Sequence, residues 1–423
     1  MNDNELQLHG VSSAFSAPCP SPDAGPGGFG ELDIENQSHK VAGLTHPPDS
    51  IGAPSRTRPE PHEEMMMDAG RTPSAGTAFP SFAAGTGAPV VTLRQGEALT
   101  VRQGDAEPLS LRLSAAEGRL ILTSRPAGPA DAAIRGLSAA IEAALGWHPE
   151  LERLALDLGD SADLADALRR RGIAVETAAA PLTILPELFM QQADAWLGRP
   201  DLPAFPQRLV MTDGKRHPQR PPKPQGTVYA RFIPWLEQTI AFRAATVEDD
   251  LPHLHKWMND PRVAAFWNED GDLEKHRRYL SGLIADPHML PLIASFDGVP
   301  FAYFELYWAK ENRLAPFYDV QDYDRGWHVV VGEDAYRGRA YISAWLPSLV
   351  HYMLLDDCRT QRIVGEPAAA HHQQVRNLEK SGFAKIKNFD FPHKRATLVM
   401  LLRERFFGDR LWLPAAAPAE LAA

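Results

Sequence analysis

Residues 324–344 read DRGWHVVVGEDAYRGRAYISA. His328 opens a short β-branched run. Beyond that run a glycine stands between two arginines, ahead of a segment with helical spacing. Imidazole is the side chain whose ordinary titration lies nearest neutrality, so His328 suits proton transfer, although a histidine beside a strand also serves as a hydrogen-bonded structural residue. The hexapeptide Tyr336-Arg337-Gly338-Arg339-Ala340-Tyr341 falls where a strand gives way to a helix. Free N–H groups and the helix dipole favour an anion there. Gly338 permits close approach of a ligand to the backbone. Arg337 and Arg339 add positive charge to a chain whose formal net charge is −11. Two readings of the turn stay open: a pyrophosphate cradle, or a tight turn with two solvated arginines.

Positioning these residues takes a folded unit, which the pattern places at 227–410. IAFRAAT reads as a strand, DDLPHLHKWMN and DLEKHRRYLSGLIA as helices, and MLPLIASFDG, VPFAYFELYWA and RGWHVVVGE as strands. A helix over roughly 340–355, the strand RIVGEP, the helix HHQQVRNLEKSG and the strands FAKIKNFDFP and ATLVMLLRERF complete it. An earlier unit, 88–198, begins with four short alternating runs (VVTLRQG to RLILTSRP). A helix, the strand ERLALDL, the helix SADLADALRRRG with Ser161 as cap, and the strand IAVETA follow. Gly172 and Gly382 close matching helices, so the two units echo one another as a weak internal duplication. This order predicts an α/β fold with a mixed sheet and right-handed crossovers. Residues 199–226 are proline-rich and basic and read as a linker. Residues 411–423 read as a tail. Residues 1–87 lack any sustained period and read as a disordered extension, with Met65-Met66-Met67 as an alternative start of translation.

Composition narrows the function classes. The chain has 423 residues, 44% of them hydrophobic and 23% charged, a globular balance for two or three structural units. Its acidity gives no bulk attraction for nucleic acid or an anionic membrane. Two cysteines, Cys19 and Cys358, show no zinc spacing, so no metal is expected. No run is apolar enough to span a bilayer and no secretory signal is evident, which points to the cytoplasm.

The ordered set of strand histidine, basic glycine turn, helix, strand ending in an acid-proline pair, and helix closed by Ser-Gly-Phe resembles the GNAT acyl-CoA-dependent N-acyltransferases. Four further stretches (HLHKWMNDPRVAAFWNEDG, FAYFELYWAKENRLAPFYDVQDYDRGWHVVVGE, LPSLVHYMLLDDCRTQRIVGEP and FDFPHKRATLVML) resemble the branch that acylates N-hydroxylysine, N-hydroxyornithine or N-hydroxydiamines in hydroxamate siderophore assembly. The likeness covers residues 240–408. It implies a GNAT fold, here a tandem with a degenerate copy at 88–198 and the catalytic copy at 227–410. It implies acyl-CoA, acetyl-CoA first, as cosubstrate and a small-molecule N-hydroxyamine as acceptor. It also implies His328 as base beside the acid Glu366. Backbone N–H groups of Val329, Val330 and Val331 would polarise the thioester carbonyl, and residues 337–341 (Arg337, Gly338, Arg339, Ala340, Tyr341) would hold the pyrophosphate. Ala335 stands where the family has a long polar or basic residue, His371 where it has an asparagine, and Leu378 where it has an aromatic. His371 keeps its place among the cofactor-binding candidates.

Acceptor-site candidates are His255, Asn259, Trp267, Asp324 and His393. For Trp257 and Trp267 core packing is the competing reading, and for Asn259 it is helix termination. His351 is expected to be structural. Two other functions compete. One is acetylation of an aminoglycoside or polyamine, whose charge would call for an acidic rim such as Glu269, Asp270, Asp272, Asp319, Asp322 and Asp324. The other is a non-catalytic acyl-CoA-binding module. Acyl length, acceptor length and oligomeric state are left open.

Overall fold

The computed structural model describes residues 77–85, 87–199, 204–392 and 394–414. Five short strands, β1 (Ala78–Ser81), β2 (Val90–Gln95), β3 (Ala98–Arg102), β4 (Leu109–Ser114) and β5 (Arg119–Ser124), form an antiparallel meander. Period two buries Leu99 and Val101 on β3 and Leu109, Leu111 and Leu113 on β4. Helix α1 (Ala130–Trp147) then crosses over to β6 (Leu154–Asp157), which pairs parallel to β5. A parallel neighbour requires such a crossover. Helix α2 (Ala162–Arg170), the two-residue β7 (Thr183–Ile184) and the single turn α3 (Pro186–Phe189) end this half.

The short β8 (Leu209–Thr212) and β9 (Lys215–Pro218) form a hairpin of their own. The second half begins with β10 (Thr227–Ile233) and β11 (Gln238–Ala244). Helices α4 (Val247–Met258), α5 (Pro261–Trp267) and α6 (Leu273–Ala285) follow, then β12 (Met289–Phe296), β13 (Val299–Trp308) and β14 (Arg325–Val331). Helix α7 (Arg339–Asp356) crosses to β15 (Arg362–Gly365). Helix α8 (His372–Lys380), β16 (Ala384–Asp390), β17 (Arg395–Leu402) and α9 (Arg403–Gly408) close the chain. The eight strands run in the order β10-β11-β12-β13-β14-β15-β17-β16. The mixed α/β fold is therefore as expected. No helix among the described residues is long and apolar enough to cross a membrane.

The echo between the halves is geometric. Helices α1 and α7 each have 18 residues, β6 and β15 each 4, and α2 and α8 each 9. Gly172 and Gly382 both take positive φ, 69° and 92°, to end α2 and α8. The halves also share one hydrophobic core. At their joint His351, on α7, donates from Nε2 to the Met190 carbonyl at 2.6 Å and accepts from the Tyr229 hydroxyl at 3.0 Å. Burial, with Arg231 nearby, pushes its pKa down to about 3, so it stays neutral, the structural part expected of it.

Four expectations need correction. The extension drawn through residue 87 ends sooner, because Phe79 of β1 is buried against Trp147 and Phe232. The rest of that tract, to residue 76, lies outside the described residues. IAVETA forms no strand; Val175 makes a lone bridge to Thr183. The linker at 199–226 contains the β8–β9 hairpin, and Arg220 is buried there against Glu311, with hydrogen bonds of 2.5 and 2.6 Å. The tail begins later than residue 411, since Trp412 is buried and its carbonyl accepts from Arg231.

Candidate active site

Two ladders of unequal length frame His328. Toward β13, β14 is paired along its whole length, from Trp308–Arg325 to Ala302–Val331. Toward β15 only Arg325–Ile363 and Gly326–Val364 pair, after which the parallel strands part. The wedge begins just before His328. Gly332 N–H donates to the Phe301 carbonyl. Alternation along an antiparallel ladder then turns the N–H groups of Val329 and Val331 away from β13, into the wedge. Val330 faces the other way in this alternation and packs in the core with Tyr303.

The imidazole of His328 lies between two carboxylates. Nδ1 is 3.0 Å from Glu305, its cross-strand partner on β13, and Nε2 is 3.0 Å from Glu366, just beyond β15. Tyrosine hydroxyls support each carboxylate. Tyr279 and Tyr303 donate to Glu305 at 2.5 and 3.2 Å, and Tyr307 donates to Glu366 at 2.6 Å. Tyr307 can cross over β14 only because residue 326 is glycine, as a Cβ there would stand 2.3 Å from its ring. Burial disfavours the imidazolium, but hydrogen bonds to and the charges of Glu305 and Glu366 outweigh it and raise the pKa to about 9. Burial also works against an ionised Glu366. Its bonds to His328 and Tyr307 prevail and hold it at about 2.

The basic turn follows β14. Gly338 takes φ 103° and ψ 177°, a left-handed-side conformation suited to glycine, and stands as N-cap of α7. It is exposed, with nothing near its absent side chain. Arg339 is exposed on the first turn. Arg337 donates to the Val331 carbonyl at 2.7 Å and lies 3.4 Å from Asp334, so its guanidinium folds back on the strand. Ala340 is half-buried in that turn, and Tyr341 packs edge-on to Phe296 and Tyr336, supporting the turn from the core. An open helix N-terminus, a glycine and a free arginine suit the pyrophosphate of a coenzyme A ester.

The remaining candidates divide. Trp267 reaches the site, its ring 6.2 Å from that of His328 and nearly perpendicular to it. Asp260 caps α5, and Pro261 opens it, which is how the chain turns Trp267 inward. His255 and Asn259 do not point into the site as free groups. His255 pairs with His276 at 2.8 Å, and Asn259 binds Gly271 through both N–H and carbonyl, so together they pin the turn after Trp267. Asp324 is a correction. It is buried, bonded by Arg362 at 2.6 and 2.8 Å and by Tyr318 at 2.9 Å, and leaves no face for a substrate. His371 caps α8 and stacks on Phe266 at 5.1 Å. Trp257 is wholly buried core. His393 lies outside the described residues. Sequence reasoning missed Glu305, Tyr279, Tyr303 and Tyr307. The available signal was a single acid inside the aromatic run FAYFELYWA.

A mixed sheet whose parallel strands part beside a doubly held histidine, with an exposed basic helix N-terminus beyond, has the architecture of an acyltransferase. Residues 246–391 match the family model described as Acetyltransferase (GNAT) domain. The N(6)-hydroxylysine O-acetyltransferase of Escherichia coli is 42% identical over 219 residues, 52% of this chain and 70% of that enzyme. A Beauveria bassiana N(5)-hydroxyornithine:cis-anhydromevalonyl coenzyme A-N(5)-transacylase is 47% identical over 195 residues, 45% of this chain and 43% of the fungal one. The hydroxyornithine transacylase of Ajellomyces capsulatus is 41% identical over 218 residues, 49% and 50% of the two chains. The chain belongs to the GNAT acyltransferases, in the branch that holds these relatives. It spans half or less of the length of the two fungal proteins.

Proposed function

We propose that this chain transfers an acyl group from acyl-CoA, acetyl-CoA first, to the hydroxylamine nitrogen of an N-hydroxylated lysine, ornithine or diamine in hydroxamate siderophore assembly. The observation that carries the reading is His328, held between Glu305 and Glu366 at the point where β14 and β15 part. The cosubstrate supplies the acyl carbon and leaves as its thiol. The acceptor nitrogen bonds to that carbon as the C–S bond breaks. Nε2 of a neutral His328 takes the N–H proton, which can pass on to the departing sulfur. Glu305 keeps the Nδ1 proton in place, since its other oxygen is fixed by two tyrosines. Nε2 meets the buried Glu366, so the acceptor N–H takes the place of that contact as it reaches the nitrogen. Val329 and Val331 N–H groups suit the charge that gathers on the thioester oxygen.

The rim argues against a polycationic acceptor. Asp324 is consumed by Arg362, Asp272 caps α6, and Glu269 and Asp322 pair with Lys275 and Lys310. Arg313 and Lys394 flank Glu366 instead. The test mixes the full chain and acetyl-CoA with N-hydroxylysine, lysine or an aminoglycoside and follows thiol release. Release with the hydroxylamine alone is expected, and equal release with the aminoglycoside would overturn the reading. His328→Ala should lower turnover about 10²- to 10⁴-fold with an unchanged circular-dichroism spectrum. Tight coenzyme A binding without release to any acceptor would favour the non-catalytic alternative.

A further inference from the structure

Beside the His328 site lies a pair of cations that the proton transfer does not use. Arg313 follows β13 and Lys394 precedes β17. The Arg313 guanidinium is 3.6 Å from Glu366 and 5.4 Å over the Phe391 ring. Lys394 Nζ donates to the Glu366 main-chain carbonyl at 2.9 Å and stands 5.7 Å from the same ring. Among the described residues no carboxylate pairs with Lys394, and Arg313 has only Glu366, which His328 and Tyr307 already occupy. With His328 protonated, three cations (His328, Arg313, Lys394) meet two carboxylates (Glu305, Glu366); with His328 neutral, Arg313 and Lys394 share Glu366 with the imidazole and Tyr307, and neither has a carboxylate of its own among the described residues. Burial pushes the pKa of Lys394 down, with Arg313 contributing, so the pair gains from a further anion.

Topology separates this pair from the cofactor turn. β13 leaves the sheet at Trp308, opposite Arg325, the first residue of β14, whereas the turn at Gly338 follows Val331, the last. Arg313 and Lys394 gather at Glu366, level with His328 in the middle of β14, whereas the turn lies beyond the strand's last residue, about 10 Å of strand further on. One anion, the pyrophosphate, belongs at the turn; the pair at Glu366 calls for its own.

We infer that Arg313 and Lys394 form a carboxylate subsite for the transfer, reading a carboxylate carried by one of the two reacting molecules. This rests on the proposed activity and deepens it. Two sources carry that chemistry: the α-carboxylate of an N-hydroxylated amino acid, or the distal carboxylate of a dicarboxylic acyl group. A bidentate arginine beside a lysine suits either.

Four reactions tell the sources apart: acetyl-CoA or succinyl-CoA, each with N-hydroxylysine or its decarboxylated counterpart N-hydroxycadaverine. kcat/KM is compared among native protein, Arg313→Gln and Lys394→Gln. The variants should lose about ten- to hundredfold in the pairs that carry the recognised carboxylate, compressing the native preference toward one. Loss that follows the acceptor assigns the α-carboxylate; loss that follows the acyl group assigns the succinyl end. An equal loss in all four pairs, or a native protein with no preference, would overturn the subsite while leaving hydroxylamine acylation standing. No thiol release from any pair would overturn both readings.

Discussion

Replacing Glu305 by glutamine is the sharpest probe of the site, because it removes one charge and keeps the side chain's shape. The two carboxylates raise the pKa of His328 from 6.5 to about 9, a difference of about 3.4 kcal/mol between its protonation states. Each carboxylate meets one ring nitrogen at 3.0 Å. Neutralising one of them should lower the pKa by about one pH unit or more. A base must be neutral to act, so native kcat/KM for the acyl donor, at saturating acceptor, should climb about tenfold per pH unit and level off near 9. In Glu305→Gln the limb should shift to lower pH and the plateau should fall as the ring loses its anchor. Thiol release between pH 6 and 10 provides the assay. Stability supplies a second readout. A histidine whose pKa is higher in the folded state stabilises it fully below about 6.5, and the gain is lost as pH rises through about 9. Native Tm should therefore fall across that window, and the variant's should fall less. A native profile flat from pH 7 to 9.5, or a limb that Glu305→Gln leaves in place, would refute His328 as the base.

Three more outcomes follow from the geometry. Asp324→Ala breaks a buried pair with Arg362 and should cost about 3–5 kcal/mol in urea unfolding. The acceptor KM of the folded fraction should stay native, and a raised KM with native stability would restore Asp324 to the acceptor site. Gly326→Ala drives a Cβ into the Tyr307 ring and should cost about 1–3 kcal/mol. It should also cut turnover through Glu366, which a native Tyr307 and native kcat would contradict. Arg339→Ala should raise KM for acyl-CoA several-fold and leave the acceptor KM alone, whereas the reverse would reassign the turn.

Much of the fold was legible because the first-half strands alternate, the inner strands of the second half are unbroken apolar runs, and α2 and α8 end on glycine. The site was legible in part through the family resemblance. His328 and Glu366 stand at strand positions that sequence order alone can compare. Glu305 did not stand out because its role comes from register. Nothing in FAYFELYWA says that its acid faces residue 328, 23 positions later, rather than a solvent face. Asp324 was misread because an acid just before a functional strand resembles a substrate contact. Only the return of Arg362, from the neighbouring strand, shows it to be a buried ion pair. The linker was misread from proline content, which says where helices and inner strands cannot lie and nothing about Arg220 finding Glu311.

The joint at His351 changes how lesions in the first half would express themselves. When the same steps are counted from the first pair of each parallel ladder, Leu122 and Leu158 of the first half stand where His328 and Glu366 stand in the second. That half shares the outline and carries two leucines at those places. Its Met190 carbonyl and Trp196 ring grip His351 in the middle of α7, whose first residues carry the basic turn. A missense change at Trp196 should therefore surface as weakened cofactor affinity, although the residue lies in the other half from the basic turn. The first half thus acts on the cofactor turn through the bearing of a helix.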